Sequence, residues 1–441
     1  MANGAKTGTI NFRIEGGRKL HGKIAVRTSK NGTVGVLAAA LLNRGKTTIQ
    51  KAPKIEEVFR IIEVLESIGV SAKWRGDDII IVPPKKFDIK NIDFVSAEKT
   101  RSALLLIAPL IHFSSRFVMP GSGGCHLGSR TIKPYFYALE SIGVKMEAKN
   151  GRLNISSGKL NPAEIVLYEA GDTVSELIIT AAALIPGKTI VKFASANYQV
   201  QDVCFFLEKL GVKVEGIGTS TLVVHGVEKI DKDVSYEPGE DPIEAMSLIA
   251  AAIVTKSAIT IEKAPIDFLE LELFKLRNMG FKYSLSKRYK GGNGKINLVD
   301  IKTLPSDLVA LPEKIHALPY PGINMDNLPF FAIIGTQAEG ETFIHDWVYE
   351  ERAVEYKEID KLGARTVLAD PHRFYVKGKT VLHPAEIICP PALRPSVIIL
   401  IGMLAAKGVS ILRNVYNINR GYEDLAARLN AIGAKIETFK E

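Results

Sequence analysis

Apolar and polar positions along the chain form a phrase that recurs six times. Each copy is an amphipathic helical stretch, a closing glycine and a strand-like run. The copies occupy residues 64–70, 138–144, 206–212, 275–281, 358–364 and 428–434, as in Leu65-Glu66-Ser67-Ile68-Gly69-Val70 and Leu139-Glu140-Ser141-Ile142-Gly143-Val144. Their glycines, at 69, 143, 211, 280, 363 and 433, stand 74, 68, 69, 83 and 70 residues apart. A period of about 70 is longer than the ~20–50 residues of stacked solenoid repeats. Each glycine is expected to end an outer helix in the left-handed conformation and turn the chain into a strand.

A second kind of segment precedes each copy and is apolar on every side: 38–42, 104–111, 181–185, 249–254, 330–334 and 397–404. A short strand follows each one, usually begun by glycine, as in Gly187-Lys188-Thr189-Ile190-Val191. Helices without a polar face belong inside a large protein. The longest apolar runs reach about a dozen residues, whereas a bilayer span needs roughly 20, so no membrane insertion is expected. Six units, each with an inner helix, an outer helix and several strands, divide naturally into two groups of three. Three units suffice to wrap three buried helices in sheets. The widest spacing holds a Gly/Lys-rich insert at 287–295, expected as an exposed hairpin or loop.

Composition narrows this picture without redirecting it. The 441 residues are 46% hydrophobic and 24% charged, which excludes a disordered or fibrous chain. Length alone would suggest about three domains; the repeats replace that with two. Three cysteines (Cys125, Cys204, Cys389) are too few and too odd for a disulfide framework and fit a reducing cytoplasm. Residues 1–8 are polar, with no signal-peptide core. The formal net charge of +9 hints at an anionic partner.

Candidate chemistry sits where the inner helices begin. The openings are Ser29-Lys30-Asn31-Gly32, Lys99-Thr100-Arg101-Ser102, Asp172-Thr173-Val174-Ser175, Glu240-Asp241-Pro242, Asn324-Met325-Asp326-Asn327 and Leu393-Arg394-Pro395-Ser396. Helix N-termini expose unpaired N–H groups and favour anions, more so beside Lys or Arg. With the inner helices parallel, these openings converge on one face. Read singly, the Ser, Asn and Asp residues are N-caps and the basic residues are solvated. Lys30, Arg101 and Arg394 at equivalent points of three units favour an anion site. A Gly-rich loop, 120–130, carries Cys125 and Arg130, and a basic neighbour lowers a thiol pKa. Cys204 reads as core and Cys389 as structural, while His126 beside Cys125 does not make a catalytic dyad. Asn419-Arg420-Gly421-Tyr422-Glu423 places an arginine on a turn able to close over a ligand. No phosphate-binding GxxxxGK[ST], paired CxxC or HExxH is present, and the scattered histidines suggest no metal site.

Together the six repeats, Lys30-Asn31, the cysteine loop and the 419–423 turn resemble the enolpyruvyl transferase family over about residues 14–436. The loop pattern resembles the branch whose acceptor is UDP-N-acetylglucosamine. The resemblance implies two inverse α/β barrel-like domains, each of three βαβαββ units around buried parallel helices. They span 22–234, and 1–21 with 235–441. It implies phosphoenolpyruvate and UDP-N-acetylglucosamine as substrates in peptidoglycan precursor synthesis, with no cofactor or metal and no nucleic-acid or membrane partner. Lys30, Arg130 and Arg420 match positions that hold phosphoenolpyruvate. Cys125 matches the loop cysteine that protonates the enol carbon and can form an adduct. Asp326 matches the carboxylate facing the acceptor hydroxyl. Asn31, Arg101, Val348 and Arg394 match other substrate-contacting positions, and Thr131, Lys133 and Arg352 complete the expected site. A reactant with a carboxylate and a phosphate needs several cations, and addition–elimination needs an acid and a base.

Three departures bear on the acceptor. Ala392 stands where the family has an aspartate before Leu393-Arg394. Glu169-Ala170-Gly171-Asp172-Thr173 replaces a diphosphate-contacting segment that begins with lysine. Thr131-Ile132-Lys133 replaces Pro-Val-Asp, with Lys133 a substitute for the lost cation. A different hydroxyl acceptor is the alternative these residues raise. A non-catalytic, nucleic-acid-binding relative is a third, weakened by the dispersal of the lysines.

Overall fold

The computed structural model describes residues 9–121 and 131–441. Five inner helices are α-helical and one is mixed. In chain order, with the neighbours used below, the helices are α1 (Lys30–Ala40), α2 (Glu56–Ser67), α3 (Ile107–Leu110), α4 (Asp172–Ala182), α5 (Tyr198–Leu210), α6 (Pro242–Val254), α7 (Glu270–Asn278), α8 (Leu328–Gly335) and α9 (Leu393–Ala405). Of these, α2, α5 and α7 are outer helices. The amphipathic spacing of α2 buries Val58, Ile61, Ile62 and Leu65 and leaves acids in its first turn. By contrast, every residue of α6 and α8 is buried, as the lack of a polar face requires.

All six repeat glycines have φ between 87° and 101°. That is the left-handed turn expected of them, where a side chain would clash with its own backbone. Among the described residues there are six sheets, one centred on each sequence unit. In three of them the strand before the inner helix runs parallel to the strand after it, as Glu164–Val166 does with Gly187–Lys192 and Glu386–Ile388 with Gly408–Arg413. The first and fourth units exchange these leading strands: Val234–Tyr236, before α6, runs parallel to Thr47–Ile49 after α1, and His21–Ala25, before α1, to Ala258–Pro265 after α6. The second unit differs. Its three-stranded sheet is wholly antiparallel. Short helices, Ile89–Asn91 and Phe94–Glu98, take the place of the leading strand, and its inner helix begins as the 3₁₀ stretch Arg101–Leu106 before α3. Pro109 inside α3 removes a backbone donor and shortens the regular helix.

Buried apolar side chains form two clusters, one within 34–236 and one within 12–26 and 243–436 that also takes in Tyr198. In the second, α6, α8 and α9 pack on one another; in the first, α1, the 3₁₀ stretch, α3 and α4 do so. The chain crosses between them twice, side by side: Ser29 N–H donates to Gly239 O (2.7 Å) and Asp241 N–H to Arg27 O (2.9 Å). Strand His21–Ala25 pairs with Ala258–Pro265. Residues 22–25, assigned from sequence to the first half, are therefore bonded into the second. The 287–295 insert is a hairpin, with Tyr289–Lys290 pairing with Asn297–Leu304. It is tethered across the crossing by Lys295, whose ammonium lies 3.0 Å from Glu208 and over the Phe205 ring. No helix among the described residues is long and apolar enough to cross a membrane.

Candidate active site

A cavity of about 640 Å³ opens between the two clusters, at the start of the inner helices. Lys30, Asn31, Arg101, Thr131, Asp326, Val348, Arg352, Arg394 and Arg420 line it. Lys133 does not; it is exposed at the first turn of the helix Lys133–Glu140. Cys125 and Arg130 lie outside the described residues. The capping reading holds at three openings and not at Asp172, which follows the N-cap Gly171, or at Asn327, which makes no side-chain cap bond. Ser29 accepts the Gly32 N–H, Thr100 the Ser102 N–H, and Asp241 those of Ile243 and Glu244. At the first two of these openings caps and cavity-lining side chains thus share the same short segments.

Lys30 meets Glu57 of α2 at 2.6 Å, and the pair is largely buried. The Thr100 and Ser102 hydroxyls also donate to Glu57, at 3.0 and 2.5 Å. Burial pushes the Glu57 pKa up, but the Lys30 ammonium and these hydrogen bonds outweigh it and hold the group at about 2. Asn31 donates to Tyr198 Oη (3.0 Å) and Gln199 Oε1 (3.1 Å) on α5. Arg101, on the rim, donates to Thr131 O at 3.4 Å.

Asp326 precedes α8 on a short loop. Its N–H donates to Asn324 Oδ1 (2.9 Å), and Glu272 of α7 accepts from Asn324 N (3.1 Å) and Asn327 Nδ2 (2.8 Å). Two arginines reach its carboxylate, Arg394 at 3.3 Å and Arg352 at 3.5 Å. Burial pushes its pKa up, but Arg394 and Arg352 together carry it below the ordinary value. Arg352 is fully buried; its guanidinium forks onto Asp346 (2.6 and 2.9 Å), and the Tyr356 hydroxyl donates to the same carboxylate (2.5 Å).

At the α4 opening the Asp172 carboxylate accepts from Ser195 Oγ (2.5 Å) and Asn197 Nδ2 (2.9 Å), and burial raises its pKa. One turn on, Glu176 is buried with its pKa raised well above normal, chiefly by desolvation. Ala392 stands at the N-cap of α9, which has no side-chain cap.

The lining corrects the expected excess of positive charge. Among its described residues seven are basic (Lys30, Arg60, Lys99, Arg101, Arg352, Arg394, Arg420) and seven acidic (Glu56, Glu57, Glu169, Asp172, Glu176, Asp326, Glu350). A buried cation without a partner is costly, and Lys30, Arg352 and Arg394 each carry a carboxylate. Sequence reasoning missed Glu57, Asp346 and Tyr356. Glu57 belongs to an outer helix, and nothing in the openings points to it. The remaining cysteines follow expectation. Cys204 is fully buried, and burial pushes its thiol up; Cys389 is buried with its thiol raised to about 11. Among the described residues no group of three or more His, Cys, Asp or Glu is placed to hold a metal ion.

Solved structures share the whole architecture. The enolpyruvyl transferase NikO from Streptomyces tendae matches with a TM-score of 0.84 at 22% identity, over 98% of this chain and 100% of NikO. An EPSP synthase from Acinetobacter baumannii matches with a TM-score of 0.77 at 18% identity, over 98% and 100%. The fold is thus the two-domain inverse α/β barrel fold of enolpyruvyl transferases. A family model described as EPSP synthase (3-phosphoshikimate 1-carboxyvinyltransferase) matches residues 14–429. The UDP-N-acetylglucosamine 1-carboxyvinyltransferase of Treponema pallidum is 31% identical over 425 residues, 96% of this chain and 98% of the relative. That of Bradyrhizobium diazoefficiens is 31% identical over 433 residues, 98% and 99%. The chain belongs to the EPSP synthase family of enolpyruvyl transferases.

Proposed function

We propose that the protein transfers the enolpyruvyl group of phosphoenolpyruvate to the 3-hydroxyl of UDP-N-acetylglucosamine, releasing phosphate, in cytoplasmic peptidoglycan precursor synthesis. The observation that carries this reading is the convergence of Lys30, Arg101, Arg352, Arg394 and Arg420 with Asp326 in one cavity. The names of the relatives supply the acceptor. The two halves, with strand His21–Ala25 counted in the second, form the opposite walls.

In the proposed reaction Lys30, Arg130 and Arg420 hold the donor's phosphate. Asp326 takes the proton of the acceptor hydroxyl as its oxygen bonds to the donor's C2, and Cys125 delivers a proton to C3. Phosphate then leaves C2, a proton leaves the new methyl group, and the enol double bond reforms. Asn31, Val348 and Thr131 line the acceptor side.

Phosphate release from phosphoenolpyruvate should depend on UDP-N-acetylglucosamine, and alkylation of Cys125 should abolish it. Unchanged turnover after alkylation removes the cysteine from the reaction. Because the α4 opening presents Glu169 and Asp172 rather than a cation, the assay includes a panel of other hydroxyl acceptors. Release with one of these and none with the UDP sugar overturns the acceptor assignment.

A further inference from the structure

Arg352 and Arg394 come from different repeat units and close on the same carboxylate, but their grip is uneven. From behind, each guanidinium is held at short range. Arg352 donates to Asp346 at 2.6 and 2.9 Å and to Met325 O at 2.6 Å. Arg394 donates to Tyr422 Oη at 2.9 Å. On the cavity side both face Asp326 at 3.3–3.5 Å, whereas charge-assisted N–H···O bonds ordinarily settle near ~2.8 Å. The side chains of Arg352 and Arg394 are 1% and 6% exposed, and that of Asp326 is 26% exposed. The arginines are therefore the fixed partners and Asp326 the loosely held one. The loop backbone at Asn324 is pinned by Glu272, so Asp326 can leave by side-chain rotation alone.

Two anchored guanidiniums facing one carboxylate on a cavity wall make a carboxylate seat. We propose that Asp326 is an internal stand-in: in the unliganded protein it occupies the Arg352–Arg394 seat that receives the carboxylate of the donor, and donor binding turns it out. The donor's identity and the role of Asp326 as base rest on the enolpyruvyl-transfer reading above; the seat and its exchange do not. Turned out, Asp326 loses the two cations that hold its proton affinity down. The charged or titratable groups still bearing on it are Lys30 of α1, Asp172 of α4 and Tyr198 of α5. The base is thereby switched on by the arrival of the donor, and in its absence stays paired.

Calorimetry with pyruvate, which has the carboxylate but no phosphate, tests the exchange. Asp326→Asn removes the internal competitor and should bind pyruvate at least tenfold more tightly than the wild type. Asp172→Asn deletes a cavity carboxylate with no hydrogen bond to either arginine and should change binding less than threefold. In the wild type, pyruvate binding near pH 5 should take up a fraction of a proton, read by comparing buffers of different ionisation enthalpy. Equal or weaker binding by a folded Asp326→Asn protein overturns the proposal, as does binding to the wild type without proton uptake. Pyruvate binding is independent of turnover. Tighter binding by Asp326→Asn in a protein that releases no phosphate from phosphoenolpyruvate would sink the reaction and leave the stand-in standing.

Discussion

Replacing Glu57 by Gln isolates the charge of the Lys30 partner while keeping its shape. The folded protein lowers the Glu57 pKa from 4.5 to about 2. At ~1.4 kcal/mol per unit that is about 3 kcal/mol of preference for the ionised form. The two side chains are 14% and 12% exposed, so solvent screening takes little of it. Because the folded pKa is depressed, the contribution is complete above the unfolded value of about 4.5 and fades as pH falls toward 2. Glu57→Gln should therefore lower the melting temperature by on the order of 3 °C at pH 7.5, and the gap to the wild type should narrow steadily from pH 5 to pH 3. Thermal melts followed by circular dichroism read both quantities. A gap that stays constant with pH would refute the reasoning, since loss of shape or of a neutral hydrogen bond does not titrate.

Glu240, at the crossing between the halves, has the opposite sign. Burial raises its pKa to about 7, so the folded protein keeps a proton that the unfolded chain gives up near 4.5, and stability falls as pH rises across that window. Glu240→Gln should stabilise above pH 7 by about 3 kcal/mol and change nothing below pH 4.5; denaturant melts at both ends decide it. Tyr356→Phe removes one hydrogen bond to the buried Asp346 carboxylate and should cost about 1.5–3 kcal/mol, read by the same melts; a loss under about 0.5 kcal/mol would show that Asp346 does not depend on it.

The legible parts of this molecule are those encoded by neighbours in sequence. Repeat glycines, all-apolar helices and helix openings are each fixed within a few residues; they mark the six units, and the openings carry Lys30, Asn31, Arg101, Asp326 and Arg394, which the fold brings to one cavity, whereas Thr131, Val348 and Arg352 are named only through the family resemblance. The second unit was less legible because Pro109 and the short helices at 89–98 break its pattern inside an otherwise ordinary apolar run. Glu57 was invisible for a different reason. An acid in the first turn of a helix complements the helix dipole, so residues Glu56 and Glu57 of α2 look complete without a partner, and only the fold brings Lys30 to one of them.

The same distinction explains why, in a chain with a net charge of +9, the described residues line the cavity evenly. Counting charge along the sequence treats each cation as available, yet a cation enclosed by low-dielectric walls is strongly unfavourable until it is paired and hydrogen-bonded. An anion site that must also fold without its anion therefore has to bring carboxylates of its own. Here each central cation has one: Glu57 for Lys30, Asp346 for the back of Arg352, and Asp326 for Arg394 and the front of Arg352. These pairs differ in how readily a ligand could displace them. Glu57 and Asp346 are held at 2.6 Å by their cations and by additional hydroxyl donors. Asp326 is held only at 3.3 Å or more by its arginines and is the most exposed of the three carboxylates. Glu57 and Asp346 therefore orient their cations in both states, and the exchange of carboxylates falls on Asp326, the residue whose freedom the proposed chemistry needs.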